Sequence, residues 1–281
     1  MEGLIVKALD EAKAIIFDLD GTLYEGDEHF KLYVKLTSEK LSQEKDKKQY
    51  VQEVRDVLNG KHPMRIGTVL DKKRRNILTV DPITFDIKKV TDWLGNKLSE
   101  DKVLDLYGSK IKYNVHQFTF IGDGWSPPVA VAAQYGLSPE IVRAVYHQVK
   151  EKMVGEDYKL PITEGLKEGL WRLKKASKTL ILMTNSDEAD VRRLLDALGL
   201  TSCFNYLLTS AKKPFKSTAN FKNILERYHL VPEDVVSVGD NFFNEIAPAL
   251  RLGMKGVYIT QNDFPYKSAN LTVVKTLANQ I

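Results

Sequence analysis

From position 161 onward, short apolar runs alternate with amphipathic segments, and no other feature constrains the fold as much. The spacing predicts helices over 164–175, 187–198, 218–228 and 244–252, with Gly199 and Gly253 as stops for the second and fourth. Between them it predicts strands over 179–183, 204–208, 235–238 and 256–259. Apolar strands separated by helices pair in parallel and are covered on both faces. The expected class is therefore α/β, a doubly wound, Rossmann-like parallel sheet.

A further apolar strand opens the stretch AIIFDLDGTLYEGD, residues 14–27, and runs straight into Asp18 and Asp20. Residues i and i+2 of a strand point to one side, so both carboxylates face one cleft. Like charges that close need a cation or a shared proton. A turn or helix cap would also use such residues, but three other strand ends carry chemistry too. LILMTNS (180–186) ends in Thr184 and Asn185, where a hydroxyl and nearby backbone N–H groups, that of Gly21 included, can hold a phosphate oxygen. Asn185 or Ser186 can cap the next helix at the same time. SAKKPFK (210–216) supplies an ammonium, with Lys213 placed first and Lys216 second. VVSVGDNFFNEI (235–246) adds Asp240, Asn244 and Glu245. An acid pair, a hydroxyl, a lysine and another acid on one sheet edge describe phosphoryl transfer through a carboxylate nucleophile. An oxygen-only acid cluster suits Mg²⁺.

The segment between first and second strands is of another kind. Helices are expected over 30–41, 48–58, 87–98, 129–134 and 139–153, and RIGTVLDKKRRNILTV (65–80) reads as a β-hairpin with a charged tip. The organisation expected is a core of 1–23 and 160–281 with a mainly helical cap, 24–159, inserted into it. The chain has 281 residues, a net charge of +4 and one cysteine, Cys203, so it can form no intrachain disulfide. With no signal-like or membrane-spanning apolar run, a cytoplasmic protein is expected. The basic hairpin tip has few interleaved aromatics, so no nucleic-acid partner is expected. Oligomeric state is not legible.

The motif set Asp18-Leu-Asp20-Gly21-Thr22, Thr184-Asn185, Lys213-Pro214 and Gly239-Asp240 with Asn244-Glu245 resembles the haloacid dehalogenase superfamily. The resemblance implies Asp18 as nucleophile, Asp20 as general acid–base, Thr184 on the phosphoryl group and Lys213 on both nucleophile and phosphate. It also implies Mg²⁺ on Asp18, Asp240 and the main-chain carbonyl of Asp20. The last motif departs from the family pattern, with Glu245 where aspartate is usual, and Asn244 can share the metal duty. Asp20 favours phosphate-ester chemistry over carbon–halogen cleavage, because an alkoxide leaving group needs a proton. Within the insertion, Asp71, Asn76, Leu78 and Asp81 resemble a hairpin of the purine 5′-nucleotidase branch. A Mg²⁺-dependent phosphomonoesterase acting on a small phosphorylated metabolite is expected, with nucleoside monophosphate as first candidate. A sugar phosphomutase and a non-catalytic phospho-ligand-binding protein are the alternatives.

Overall fold

The computed structural model describes residues 2–112, 114–155, 158 and 160–281; Lys159, the expected last residue of the insertion, lies outside them. The chain divides into two compact units, Met1–Gly26 with Met153–Ile281, and Asp27–Lys152. The strands, in chain order, are β1 (Ala14–Phe17), β2 (Thr68–Asp71), β3 (Asn76–Val80), β4 (Ile87–Thr91), β5 (Phe118–Ile121), β6 (Thr179–Met183), β7 (Tyr206–Leu208), β8 (Val235–Gly239), β9 (Lys255–Ile259) and β10 (Leu271–Val274).

In the first unit, β10-β9-β8-β1-β6-β7 form one sheet, parallel throughout. Every residue of β1 is buried, as a central strand covered on both faces requires. On one face Ala14 and Ile16 pack with Ile181, Met183, Phe221 and Ile224. Helices between its strands include Leu166–Lys175, Glu188–Ala197 and Ser217–Arg227. The second is capped by Asp187, whose carboxylate accepts the Asp190 N–H at 2.9 Å. The expected caps, Ser186 and Asn185, lie one and two residues too early. The expected helix over 244–252 begins as a π-turn, Phe242–Ile246, and continues as an α-helix, Ala247–Arg251. β9 is not the last strand: β10 extends the sheet beyond it.

In the second unit the expected hairpin is β2 paired with β3, and it lies inside a four-stranded antiparallel sheet, β4-β3-β2-β5. The expected helix over 87–98 is instead β4 followed by a turn. Strand pairing decides this, since Thr91 and Val90 sit opposite Ile77 and Leu78. The helices Glu28–Ser38, Glu44–Leu58 and Pro139–Met153 overlap the expected ones, and Ser126–Ala132 starts three residues before its forecast.

Candidate active site

The register of the parallel sheet assembles the site. Phe17 pairs with Leu182 on one side and Val238 on the other, so the next residue, Asp18, lies level with Met183 and Gly239. Its N–H continues the ladder to Val238 O at 2.9 Å. Thr184 and Asp240 follow directly on the two flanking strands. Carboxyl ends of adjacent parallel strands are where open α/β sheets bind ligands.

Lys213 arrives from the loop after β7, and its buried ammonium meets three acceptors. They are Asp18 Oδ1 at 2.7 Å, Glu245 Oε1 at 2.6 Å and the carbonyl of Met183 at 2.9 Å. Its main chain is clamped by Asn185, whose Oδ1 accepts the Lys213 N–H at 2.7 Å while its Nδ2 donates to Lys213 O at 3.0 Å. The Asn185 side chain is thus engaged with the lysine loop. Lys216, the other lysine considered, is exposed at the start of helix Ser217–Arg227.

Glu245 uses both oxygens inside the protein, since Oε2 accepts the Asn241 N–H at 3.0 Å. The π-turn that carries it begins two residues after Asp240, and such turns recur at functional sites. Ser217 Oγ donates to Asn244 O at 2.6 Å and Ser237 Oγ to Glu245 O at 3.1 Å, fixing the turn from two sides. Asn244 contributes its N–H to Asn241 Oδ1 at 3.2 Å. Two glycines make room for carboxylates here. A Cβ on Gly239 would lie 2.6 Å from Glu245 Cγ, and one on Gly21 only 2.3 Å from Asp240 Oδ2. Gly21 also has φ +72°, a conformation that glycine adopts without cost.

Charge follows from this packing. Burial opposes the Lys213 ammonium, yet Asp18 and Glu245 hold its pKa above the ordinary lysine value, so it stays charged. Burial pushes the Asp18 carboxyl up, against the pull of Lys213, and Asp20 pushes it further. Asp18, Asp240 and Glu245 each place a carboxylate oxygen within 4.8 Å of the others. A buried acid that one ammonium does not offset, in an all-oxygen donor set, fits a hard divalent cation. Glu245 is the poorer donor of the three, since Lys213 and the Asn241 N–H take both of its oxygens.

Thr184 is buried and its Oγ accepts the Ser186 N–H at 3.2 Å, so the hydroxyl keeps its own proton to donate. Asp20 stands at the rim of the group, half-buried. Tyr24 donates its phenol proton to Asp20 Oδ1, and Ser186 Oγ lies 3.4 Å from Oδ2. Neither Tyr24 nor Ser186 is expected at the site from sequence, where Ser186 reads only as a candidate helix cap. A signal for Ser186 existed, because it stands two residues after Thr184, the same offset that pairs Asp18 with Asp20.

In the second unit, the tip residues Asp71 and Asn76 are explained by the hairpin itself. Asp71 is fully buried; its Oδ1 accepts the N–H groups of Lys73 and Arg74, and its Oδ2 accepts from Arg74, Tyr107 and Gln117. Asn76 Nδ2 donates to Tyr107 Oη at 2.9 Å. Those two positions of the nucleotidase-like pattern are thus turn and strand-end chemistry.

A haloacid dehalogenase-like hydrolase family model matches residues 12–253. The chain belongs to that family of hydrolases. No curated protein matches the sequence. Solved structures agree on the fold at low identity. YfnB of Bacillus subtilis, assigned as a HAD-hydrolase and bound to magnesium, is 14% identical with a TM-score of 0.53, covering 95% of this chain and 96% of its own. A predicted phosphoglycolate phosphatase from Haemophilus somnus is 17% identical with a TM-score of 0.52, covering 96% of each chain. A dehalogenase with an intermediate complex is 16% identical with a TM-score of 0.50, again covering 96% of each. At such identities the likeness shows the fold alone, and the neighbours differ in the bond they break. No helix among the described residues is long and apolar enough to cross a membrane.

Proposed function

We propose that this hydrolase is a Mg²⁺-dependent phosphomonoesterase that works through an aspartyl-phosphate on Asp18. One observation carries the reading: a second carboxyl, Asp20, follows the lysine-paired Asp18 by two residues and is held by hydroxyl donors at the same sheet edge. A dehalogenase has no leaving oxygen to protonate, whereas an ester has.

Asp18 attacks phosphorus through a carboxylate oxygen. Lys213 keeps that carboxylate oriented and balances charge on the phosphoryl oxygens. Glu245 and Asn185 hold Lys213 in place, one by its ammonium and one by its backbone. The Thr184 hydroxyl donates to a phosphoryl oxygen. Asp20 gives its proton to the departing alcohol and takes one from the water that cleaves the aspartyl-phosphate. Asp18, Asp240 and the carbonyl of Asp20 would hold Mg²⁺, which neutralises phosphate charge and lets carboxylate and phosphate approach each other.

The substrate class is a small phosphorylated metabolite. Nucleoside monophosphate is the first to try, on the sequence pattern of the hairpin, although Asp71 and Asn76 have structural work there.

The test is phosphate release from purine and pyrimidine monophosphates, sugar phosphates and an aryl phosphate, with Mg²⁺ or with chelator. Mg²⁺-dependent release that Asp18→Asn abolishes without loss of folding is the expected result. Release that persists in the chelator, or in Asp18→Asn, overturns the mechanism. Transfer of phosphate to another hydroxyl of the sugar, with none set free, makes the protein a mutase.

A further inference from the structure

Tyr24 is fully buried in the turn after β1. Its backbone is pinned on two sides, bridging to Asp20 within the turn and to Ile162 across it. The neighbouring Glu25 N–H donates to Pro161 O at 2.9 Å, and Leu23 N–H to Leu19 O at 3.0 Å. The phenol is therefore delivered to Asp20 by main-chain geometry. A neutral phenol directed at a carboxyl donates, and here it donates to Oδ1. The other oxygen, Oδ2, accepts from Ser186 Oγ over a longer 3.4 Å, and that hydroxyl can turn to accept when Oδ2 carries a proton.

We propose that Tyr24 is a positioning residue for Asp20, reserving Oδ1 as an acceptor so that the working proton is carried on Oδ2. This rests on the phosphatase reading above. The Oδ2–H bond breaks as the P–O bond to the alcohol breaks, and the proton passes to the alkoxide while the Asp18–phosphorus bond forms. In the second half, water loses a proton to Oδ2 and its oxygen bonds to phosphorus, releasing Asp18. No redox partner is involved, and Tyr24 keeps its own proton throughout.

A positioning role has a signature that loss of stability lacks. Protonation matters for an alkyl leaving group and little for nitrophenolate, which departs unaided. The readout is the ratio of kcat/KM for an alkyl phosphate to that for 4-nitrophenyl phosphate, which does not depend on the fraction of folded enzyme. Asp20→Asn sets the full effect of losing the acid. A hydrogen bond to an ionisable group supports about a tenfold or greater drop in that ratio for Tyr24→Phe. As a second measurement, 3-fluorotyrosine placed at position 24 reports the contact without turnover, through a ¹⁹F shift that moves when Asp20 becomes Asn.

A fallen ratio in Tyr24→Phe together with a moving ¹⁹F signal supports the proposal. An unchanged ratio in Tyr24→Phe, with Asp20→Asn discriminating as expected, overturns the role of Tyr24 and leaves the phosphatase reading standing. An unmoved ¹⁹F signal overturns it as well, whether or not the phenylalanine variant folds. If Asp20→Asn itself shows no leaving-group discrimination, the acid–base assignment fails and the proposal falls with it.

Discussion

Replacing Lys213 with methionine keeps an unbranched stem, one atom shorter, and removes the charge from between two carboxylates. The ammonium lies 2.7 Å from Asp18 and 2.6 Å from Glu245, and no side chain of the three is more than 10% exposed. Withdrawing one member of a buried ion pair typically costs about 3–5 kcal/mol, because the charge left behind has lost both water and partner. Lys213 serves two acids, so the loss in chelator is expected at the upper end, about 4–5 kcal/mol. For a core of this size that lowers Tm by roughly 10–20 °C. The assay is thermal unfolding followed by circular dichroism, in chelator and in Mg²⁺. A cation that binds only the folded core returns about 2.7 kcal/mol at a hundred times its Kd. The double variant Lys213→Met with Glu245→Leu removes an orphaned acid as well. It should lose less than the sum of the single losses by about 1–3 kcal/mol. Strict additivity, or a Lys213→Met protein that melts with wild type, would refute the buried ion cluster.

Three further outcomes are expected. Gly21→Ala forces a Cβ into Asp240 and a side chain into positive φ, so Mg²⁺ affinity, measured by calorimetry, should fall about tenfold or more. Lys216→Ala removes an exposed charge and should leave turnover unchanged and stability within about 0.5 kcal/mol, unlike any change at Lys213. In the second unit, burial works against the Asp71 carboxylate, but the Arg74 N–H, Gln117, Tyr107 and the Arg74 side chain hold its pKa below the ordinary value. Its contribution is thus present above the unfolded pKa of about 3.9 and lost as pH falls through the lower folded value. Asp71→Asn should destabilise this unit by about 2–4 kcal/mol at neutral pH. The gap to wild type in urea unfolding should close in acid, and a gap that does not vary with pH would contradict the carboxylate network.

Local patterns in the sequence were enough for the class of fold and for the strand ends that carry chemistry. The runs AIIF, TLILM and VVSVG are mostly apolar and alternate with helical segments, as the strands of a covered parallel sheet do, so the polar residues that follow gather at one edge. The charged hairpin at 65–80 was equally legible, because two apolar runs flank a polar tip. Pairing partners distant in sequence decided the rest. IKKVT is compatible with helical and extended periods, and β3 alone makes it a strand. SAKKPFK contains three lysines, and the Asn185 clamp from the loop after β6 selects the one that reaches Asp18. Glu245 reads as a metal ligand displaced by one methylene. In the structure that methylene spans from the π-turn to Lys213, and the longer acid becomes the lysine's second anchor. Tyr24 carries no signal in the sequence, and the bridges to Asp20 and Ile162 bring its phenol to a carboxyl. Periodicity is a property of neighbours along the chain, so sequence reports it directly. Which side chain completes a hydrogen bond depends on ångström-scale approach between segments far apart in the chain, 195 positions for Asp18 and Lys213, and only the packed structure sets that.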